Sequence, residues 1–364
     1  MLVCGLTLCN MRSRRSLTVE LGPGLNVLVG PNGAGKTTVL EGLALVLAGG
    51  TLRAGTVRDL MTAGQDHLRV EVQLDDEGTT RTAAAAYSRD GERRLTADGA
   101  VLADSDRWRE GLPLRSFVPD DLRLIKGGPR RRREYLDSLA SRRDPEYSSA
   151  LQSYENALAQ RNALLRTFRG GTDGAQFVPW EKIMAETGLG VSKRREETLA
   201  VFIAAFQRMH HDLTGESVDA FHLTYRTNIA GLDEAGYSDR LAEMRSADKQ
   251  RTFTHLGPHR DDFRLVRAGL DMRDCASQGE QRAAVLTLVL AEWDYLRDVG
   301  PKPLLLLDDV MSELDGTRRR ALLEVIRRGG QVVITTTDLR YFSEDELHRA
   351  RVVELADGDG ADAA

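Results

Sequence analysis

Eight consecutive residues near the N-terminus have the types and spacing that hold a phosphate group: Gly30, Pro31, Asn32, Gly33, Ala34, Gly35, Lys36 and Thr37. They match the pattern G-x-x-x-x-G-K-[ST] at every position. Glycines let backbone N–H groups surround an anion, because no Cβ stands in the way. The pattern predicts that Lys36 reaches the β- and γ-phosphates of a nucleotide and that the Thr37 hydroxyl holds Mg²⁺.

A strand and a helix must position this loop. The apolar segment Leu25–Val29 is typical of a short buried strand, and residues 38–48 form an apolar helical pattern that Gly49 and Gly50 end. The N-terminus of that helix adds partial positive charge at the loop. Because both elements flank the loop, a chance glycine-rich turn is the weaker interpretation.

Two carboxylates near the C-terminus belong with the loop. Asp308 and Asp309 follow the apolar run Leu304–Leu307, which is typical of a parallel strand covered on both faces. Ligands of open α/β sheets bind at the carboxyl ends of the strands. We expect Asp308 to organise Mg²⁺ and Asp309 to polarise an attacking water. The alternative for both is a helix cap or a surface turn.

A further candidate precedes an apolar helical pattern at 283–296. Ser277 and Glu280 form the capping box S-x-x-E, which is a sufficient structural reason for both residues. It does not explain Gly279, since glycine weakens a first helical turn. A glycine there leaves the N–H groups of the helix end open to a phosphate, so this helix start is a candidate second anion site.

The composition sets limits on the class of protein. A chain of 364 residues can bury one large core or two modest ones. The net charge of −5 argues against general basic binding to nucleic acid, although a local arginine patch remains open. The three cysteines have no metal spacing, which favours a reduced cytosolic compartment. We find neither a membrane-spanning run nor a secretory signal, and we expect a cytoplasmic protein.

Helical patterns dominate the middle of the chain. They cover 130–142, 147–168 and 180–213, with an interruption expected at Gly188–Gly190. Strand patterns precede and follow them, so the sequence predicts an antiparallel helical arm on a sheet domain. The acidic tail at 357–364 is predicted to be disordered.

The order of these motifs resembles that of the ATP-binding-cassette ATPases. A phosphate loop is followed by S-x-G-E-Q-R at 277–282, by the apolar run into Asp308 and Asp309, and by S-E-L-D at 312–315. The helical insertion after the loop is similar to that of SMC and Rad50 heads. Within that group, the segments G-G-P at 127–129 and G-P-H-R-D-D at 257–262 resemble the RecF family of bacterial recombination mediators.

The resemblance implies an α/β fold with an ABC-type P-loop ATPase head, a mixed sheet with flanking helices, and a helical arm domain. The implied parts are an N-terminal head segment, a helical arm, a C-terminal head segment with the signature and the second acidic motif, and a tail. Their predicted bounds are 1–126, 127–215, 216–356 and 357–364.

The resemblance also implies ATP and Mg²⁺ as cofactors, sandwiched between two heads of a homodimer. Residues 30–38, which include Thr38, would bind ATP in one copy. Ser277 and Gly279 of the other copy would contact the γ-phosphate. Asp315 would lie in the loop that crosses the dimer interface, and Arg12 would lie near the nucleotide.

Three departures from the cassette pattern predict slow hydrolysis. Asp309 stands where transporters and SMC heads usually carry glutamate, and Thr337 stands where the switch histidine is usual. The switch glutamine has no clear counterpart near 119–120. We therefore expect Lys36, Asp308 and Asp309 to support a weak, DNA-stimulated ATPase, in which ATP acts as a timed clamp.

The implied function is ATP-dependent DNA binding in recombinational repair. An ATP-driven dimer would clamp duplex DNA beside single-stranded gaps or at junctions of single and double strands, and hydrolysis would release it. The implied protein partners are RecR and RecO, with RecA acting downstream. No association with a membrane is implied. The implied processes are DNA replication, repair of DNA damage and the SOS response, with single-stranded DNA binding among the activities.

Arginine clusters leave two interpretations open. Each is either a solvated surface or a set of contacts to DNA phosphates. One cluster opens the helical arm and consists of Arg130, Arg131, Arg132 and Arg133. The other consists of Arg12, Arg14 and Arg15. His210 and His211 are interpreted as a solvated helix end.

Two other functions are compatible with parts of the sequence. A transporter's ATPase subunit shares the motifs, but the missing switch histidine and the helical insertion oppose it. A fragment of an SMC-type structural head would need long heptad repeats, and the arm is too short for an extended coiled coil.

Overall fold

The structure, a computed structural model, describes residues 1–53, 55–104, 108–109, 113–167, 174–297 and 303–356. The chain divides into two compact units. The first unit comprises Met1–Asp121, Asp212–Gly215 and Trp293–Ala364, and the second comprises Leu122–His211 and Glu216–Glu292. The predicted disordered tail lies outside the described residues.

The strands of the described residues are β1 (Leu2–Met11), β2 (Arg14–Glu20), β3 (Leu25–Val29), β4 (His67–Asp76), β5 (Thr79–Ser88), β6 (Arg93–Ala97), β7 (Ala100–Val101), β8 (Leu114–Phe117), β9 (Phe221–Arg226), β10 (Asp262–Arg267), β11 (Leu270–Asp271), β12 (Leu304–Leu307), β13 (Val332–Thr336) and β14 (Arg351–Glu354). The predicted strands at β3 and β12 are confirmed with the same bounds.

The α-helices of the described residues are Lys36–Leu47, Arg123–Lys126, Pro129–Arg143, Pro145–Thr167, Val178–Thr214, Glu234–Arg251, Met272–Cys275, Gln278–Arg297, Val310–Glu313, Gly316–Arg327 and Glu344–Arg349. Short 3₁₀ turns add Val57–Leu60, Pro119–Leu122, Val218–Ala220, Pro258–Arg260 and Leu339–Tyr341. The predicted helices of the arm are present, with each described bound within two residues of the predicted one, and the end predicted at residue 168 lies outside the described residues.

Two sheets form the first unit. Six antiparallel strands run in the order β2-β1-β4-β5-β6-β7, and five parallel strands run in the order β14-β3-β13-β12-β8. The α/β head fold is therefore confirmed, with its antiparallel and parallel strands in separate sheets. All four leucines of β12 are buried, as expected for a parallel strand covered on both faces.

The helix Lys36–Leu47 fills the core of the first unit. It packs against strands of both sheets, and every residue except Thr37 is buried. Gly42 permits this close packing, since a Cβ at that position would lie 2.5 Å from the Leu8 side chain. This burial fixes the first turn of the helix, where the phosphate loop ends.

Helices and a small antiparallel sheet form the second unit. The sheet has the order β11-β10-β9, and Asp262 of β10 pairs with Arg132 of the helix Pro129–Arg143. Residues 216–292 therefore lie in one compact unit with the helices of the arm. This division differs from the bounds expected from the sequence, which assign 216–356 to the head.

The interruption expected at Gly188–Gly190 is wrong, because the helix Val178–Thr214 runs through it. Gly188 packs against two tyrosine rings. A Cβ there would lie 3.0 Å from Tyr154 and 3.1 Å from Tyr237. The glycine serves close helix packing, and the stability of the packed core outweighs its unfavourable helix propensity.

The solvated helix end predicted for His210 is also wrong. His210 is buried, and its ring stacks on Phe206 and lies 4.2 Å from the Phe221 ring centroid. Its neighbour His211 is exposed, as predicted.

Candidate nucleotide-binding site

The phosphate loop lies at the carboxyl edge of the parallel sheet. It connects β3 to the helix Lys36–Leu47, whose N-cap Gly35 offers no side-chain hydrogen bond. The first N–H groups of a helix have no partner within the helix. They and the helix dipole therefore remain available to an anion at this loop.

The loop conformation requires its glycines. Gly33 and Gly35 have φ values of +91° and +82°, which side chains with a Cβ rarely adopt. Gly30 has a different reason, because a Cβ there would lie 2.3 Å from the Leu355 carbonyl oxygen. Pro31 and Asn32 are exposed at the tip, whereas Ala34 and Thr38 are buried.

Lys36 is held within the loop. Its Nζ donates to the carbonyl oxygens of Gly30 at 2.6 Å and Pro31 at 2.8 Å. Burial lowers the pKa of its ammonium, and the carboxylates of Asp309 and Asp308 oppose that shift. These two hydrogen bonds keep the Lys36 ammonium at the loop, and phosphate oxygens can replace the carbonyl oxygens as its acceptors.

Asp308 meets the loop directly. The Thr37 hydroxyl donates to Asp308 Oδ1 at 3.0 Å, and the Thr335 hydroxyl donates to the same oxygen at 2.9 Å. A third donor, Arg53 Nη2, lies 2.8 Å from Oδ2. Because β13 lies between β3 and β12, Thr335 of β13 connects the two strands that carry the loop and the acid.

Asp309 has an unusual backbone and an unpaired oxygen. Its φ is +51°, in the left-handed region that few non-glycine residues adopt. Its N–H donates to Thr335 Oγ1 at 2.8 Å. Its Oδ1 is buried and has no hydrogen-bond partner within the part of the chain that the structure describes. A buried carboxylate oxygen without a donor is costly unless a ligand satisfies it.

Arg12 pairs with the helix that follows the loop, whereas Arg14 contacts the loop itself. Arg12 forms a two-pronged ion pair with the buried Glu41, with contacts of 2.6 Å and 3.0 Å. Arg14 is buried, and its Nη2 donates to the carbonyl oxygens of Ala34, at 2.6 Å, and Ala356. Arg14 is therefore neither a solvated residue nor a DNA contact, and both readings of it from the sequence are wrong.

The segment S-x-G-E-Q-R at 277–282, which we call the signature, lies in the second unit, where it forms the start of the helix Gln278–Arg297. Its capping box is confirmed, with Ser277 N–H to Glu280 Oε2 at 2.7 Å and Glu280 N–H to Ser277 Oγ at 3.3 Å. The Ser277 hydrogen bonds and Arg267 lower the pKa of Glu280 to about 2. Gly279 is exposed, and a Cβ there would meet nothing within 4 Å. Packing does not explain this glycine, and its exposed surface remains open to a partner.

These residues fit a magnesium nucleotide. The glycine conformations and the uncapped helix start suit phosphate oxygens, and Thr37 with Asp308 supplies the hard oxygen ligands that Mg²⁺ prefers. The unpaired Asp309 Oδ1 points to a missing donor, as a water molecule would provide. Among the described residues, no group of three or more His, Cys, Asp or Glu is arranged to hold a different metal.

Comparison with known proteins places the chain in a family. A model described as the RecF/RecN/SMC N-terminal domain matches residues 3–355. The chain is 35% identical to the DNA replication and repair protein RecF of Heliobacterium modesticaldum, over 98% of each chain. It is 37% identical to the protein of the same name from Moorella thermoacetica, over 97% of this chain and 94% of that protein. The chain belongs to the RecF family.

Solved structures agree with this RecF assignment. The recombination mediator protein RecF-ATP of the RecFOR pathway matches with a TM-score of 0.81 and 28% identity, over 94% of this chain and 93% of that one. An SMC head domain from Pyrococcus furiosus matches with a TM-score of 0.54 and 16% identity, which supports the shared head fold alone.

The arginine run of this RecF-family chain is divided between surface and interior. Arg130 is exposed and pairs with Glu134 at 2.7 Å. Arg132 is buried, with two bonds to Asp262 and others to backbone carbonyls, so both interpretations from the sequence are wrong for Arg132. Arg133 is half-buried and donates to the Asp261 carbonyl at 2.9 Å. Arg131 is also half-buried.

The remaining predicted positions lie in the first unit. Asp315 caps the helix Gly316–Arg327 by accepting from the N–H groups of Thr317 and Arg318. Thr337 is exposed just beyond β13. Among the helices that the structure describes, none has the length and apolar character needed to cross a bilayer.

Sequence reasoning missed Arg53 and the role of Arg14. Arg53 is 255 positions from its partner Asp308. No local pattern connects an arginine after the first helix with an acid near the C-terminus. The alternation of β2 gave no signal for Arg14, because Arg14 shares its parity with the exposed Ser16 and Thr18 and is nevertheless buried.

Proposed function

We propose that this RecF-family chain is an ATP-dependent DNA-binding protein of recombinational repair. The observation that carries the proposal is the Thr37–Asp308 hydrogen bond, which joins the phosphate loop to the acid after β12 in a chain of this family. ATP with Mg²⁺ is the proposed ligand. The RecF relatives named for DNA replication and repair, and the RecF-ATP structure, support this choice.

Each residue of the site has a proposed part. The loop N–H groups and Lys36 bind and orient the phosphates, and Thr37 and Asp308 would hold Mg²⁺, which supplies charge neutralisation when bound. Asp309 orients a water through its unpaired oxygen. The shorter Asp309 side chain and the absence of a histidine at Thr337 favour slow hydrolysis, so that ATP serves as a timed switch.

The proposed switch is dimerisation. Ser277 and Gly279 are exposed on a helix start, and we assign them to the γ-phosphate held by a second copy. The homodimer would close on duplex DNA near single-stranded gaps, and hydrolysis would reopen it. RecR and RecO are the proposed partners, with RecA acting downstream, since the RecF-ATP structure is described in the RecFOR pathway. The proposed location is the cytoplasm.

The transporter alternative is not favoured. The family match extends over residues 3–355, and its relatives are named for DNA replication and repair. The exposed start of the signature helix alone does not separate the two functions, because both would use it.

DNA binding in the presence and absence of ATP tests the proposal. Gapped, blunt duplex and single-stranded DNA are titrated with the full chain at several salt concentrations, with ATP and Mg²⁺ or without nucleotide. We expect ATP to strengthen binding, most on gapped duplex, with affinity falling as salt rises. Binding that ignores ATP, or that Lys36→Ala leaves unchanged, would contradict the proposal.

A further inference from the structure

Arg53 is a cationic partner of the acid assigned to Mg²⁺. Its Nη2 lies 2.8 Å from Asp308 Oδ2. The Asp308 side chain is 4% exposed, whereas the Arg53 side chain is 48% exposed. The acid is therefore enclosed, and the cation that forms an ion pair with it comes from a solvent-facing side chain.

The Asp308 carboxylate has little free capacity. Oδ1 accepts from Thr335 and Thr37, and Oδ2 accepts from Arg53 with a longer contact from Thr37 at 3.2 Å. Two carboxylate oxygens provide about four lone-pair positions. A divalent cation close to this carboxylate would also repel the guanidinium. Mg²⁺ and Arg53 therefore compete for the charge of Asp308.

The two partners differ in how firmly they are held. Asp308 directly follows β12, and its N–H donates to the Phe117 carbonyl at 3.0 Å. Arg53 lies outside regular structure, after Gly49 and Gly50 and before Gly55, whose φ is +148°. If one partner moves, we expect it to be the arginine on the glycine-flanked loop.

We propose that Arg53 is an exchangeable counter-ion of Asp308. It neutralises the enclosed carboxylate in the free protein, and it leaves that carboxylate when the magnesium nucleotide binds. This inference rests on the proposed nucleotide function. Arg53 thus weakens the Mg²⁺-dependent part of nucleotide affinity, because part of that binding free energy displaces the arginine.

The test compares ATP affinity with Mg²⁺ and with EDTA for the full chain. Wild type, Arg53→Gln and the control Arg58→Gln are titrated under both conditions. Arg58 is exposed and, like Arg53, follows the helix Lys36–Leu47 in the chain. Its substitution by glutamine removes the same charge. For Arg53→Gln, the ratio of Kd in EDTA to Kd in Mg²⁺ rises about 2- to 5-fold, the range expected for an ion pair with a solvent-exposed partner. For Arg58→Gln the ratio stays at the wild-type value.

Two results would overturn the inference while leaving the nucleotide function intact. An unchanged ratio for Arg53→Gln, with both Kd values at their wild-type levels, would exclude competition with Mg²⁺. An equal loss of affinity in Mg²⁺ and EDTA would make Arg53 a direct nucleotide ligand instead. If wild type itself shows no ATP binding with Mg²⁺, the proposed function fails and the inference fails with it.

A double-mutant cycle gives a readout that needs no nucleotide. Unfolding by urea is measured for wild type, Arg53→Gln, Asp308→Asn and the double variant, all without ligand. We expect the two substitutions to be non-additive, since each removes the same ion pair. Additive effects would show that the pair is not formed in the free protein and would overturn the proposal.

Discussion

The Thr37 hydroxyl donates to Asp308 at 3.0 Å, although the two residues are 271 positions apart in the chain. One residue ends the phosphate loop, and the other follows the buried strand β12. The parallel order of the strands brings these two carboxyl ends to one edge of the sheet. The fold thus brings together the phosphate loop near the N-terminus and, near the C-terminus, the carboxylate that we assign to Mg²⁺.

Substitution of Thr37 separates the role of its hydroxyl from that of its volume. Thr37→Ala removes a donor to Asp308 and an oxygen ligand, so we expect Mg²⁺-dependent ATP affinity to fall by about 1–3 kcal/mol. Thr37→Ser keeps the hydroxyl and should stay near wild type. Equilibrium titration with a fluorescent ATP analogue measures both. Equal affinities for the alanine and serine variants would contradict a ligand role for Thr37.

Arg14 is expected to stabilise the phosphate loop through its hydrogen bond to the Ala34 carbonyl oxygen. Arg14→Ala removes the bonds to the Ala34 and Ala356 carbonyls and should lower the free energy of unfolding by about 1.5–3 kcal/mol. ATP affinity should fall as well, because the loop loses a support. Arg15→Ala is the matched control, since Arg15 is exposed and its loss should change stability by less than about 0.5 kcal/mol. Similar urea midpoints for the two variants would refute the support role.

Arg130 and Arg132 are expected to behave in opposite ways. Arg130→Ala should leave stability almost unchanged, and, if Arg130 contacts DNA, should reduce the slope of log affinity against log salt by about 1. Arg132→Ala should cost about 3–5 kcal/mol of stability, because it leaves Asp262 without its buried partner. DNA titrations over a salt series and urea unfolding measure the two effects. A full salt slope for Arg130→Ala would remove Arg130 from the DNA surface.

His259 makes stability depend on pH. Burial lowers the pKa of His259 from 6.5 to about 4, with Arg260 and Arg133 adding to the shift and the Thr254 carbonyl and Asp248 opposing it. The Nε2–H donates to the Thr254 carbonyl at 2.9 Å, so Nδ1 accepts from the Tyr154 hydroxyl at 2.6 Å. The folded state therefore prefers the neutral ring.

The sign of the effect follows from proton binding. Between these two pKa values the unfolded chain binds more protons, so stability is complete above about pH 7 and falls as pH decreases towards 4. The loss reaches roughly 2 kcal/mol at about pH 5. His259→Gln should remove most of this dependence in urea unfolding, and the control His211→Gln at an exposed site should not. A wild-type pH profile retained by His259→Gln would contradict the assignment.

The sequence predicted those parts of the site that a few adjacent residues define. The glycine loop, its strand Leu25–Val29 and the capping box of Ser277 are each defined by a few adjacent residues, and the structure places them as expected. The meeting of the loop with Asp308 was predictable too, because parallel strands align their carboxyl ends.

Other features depend on contacts that no local pattern contains. Arg130 and Arg132 belong to the same run of four arginines, so the sequence does not distinguish them. Arg132 is buried because it pairs with Asp262 of β10, which is distant in the chain. Gly188 breaks a helical pattern by propensity, yet Tyr154 and Tyr237 require its missing side chain. The polar helix Glu234–Arg251 has too few apolar residues to produce a clear period, so the sequence did not predict it.

The mass of the protein in solution, with and without nucleotide, tests the central claim most directly. Light scattering at micromolar concentration with ATP and Mg²⁺ should give a dimer for wild type and a monomer for Lys36→Ala, and both should be monomers without nucleotide. A wild type that remains monomeric with ATP and Mg²⁺, or a Lys36→Ala variant that dimerises equally well, would contradict an ATP-driven clamp.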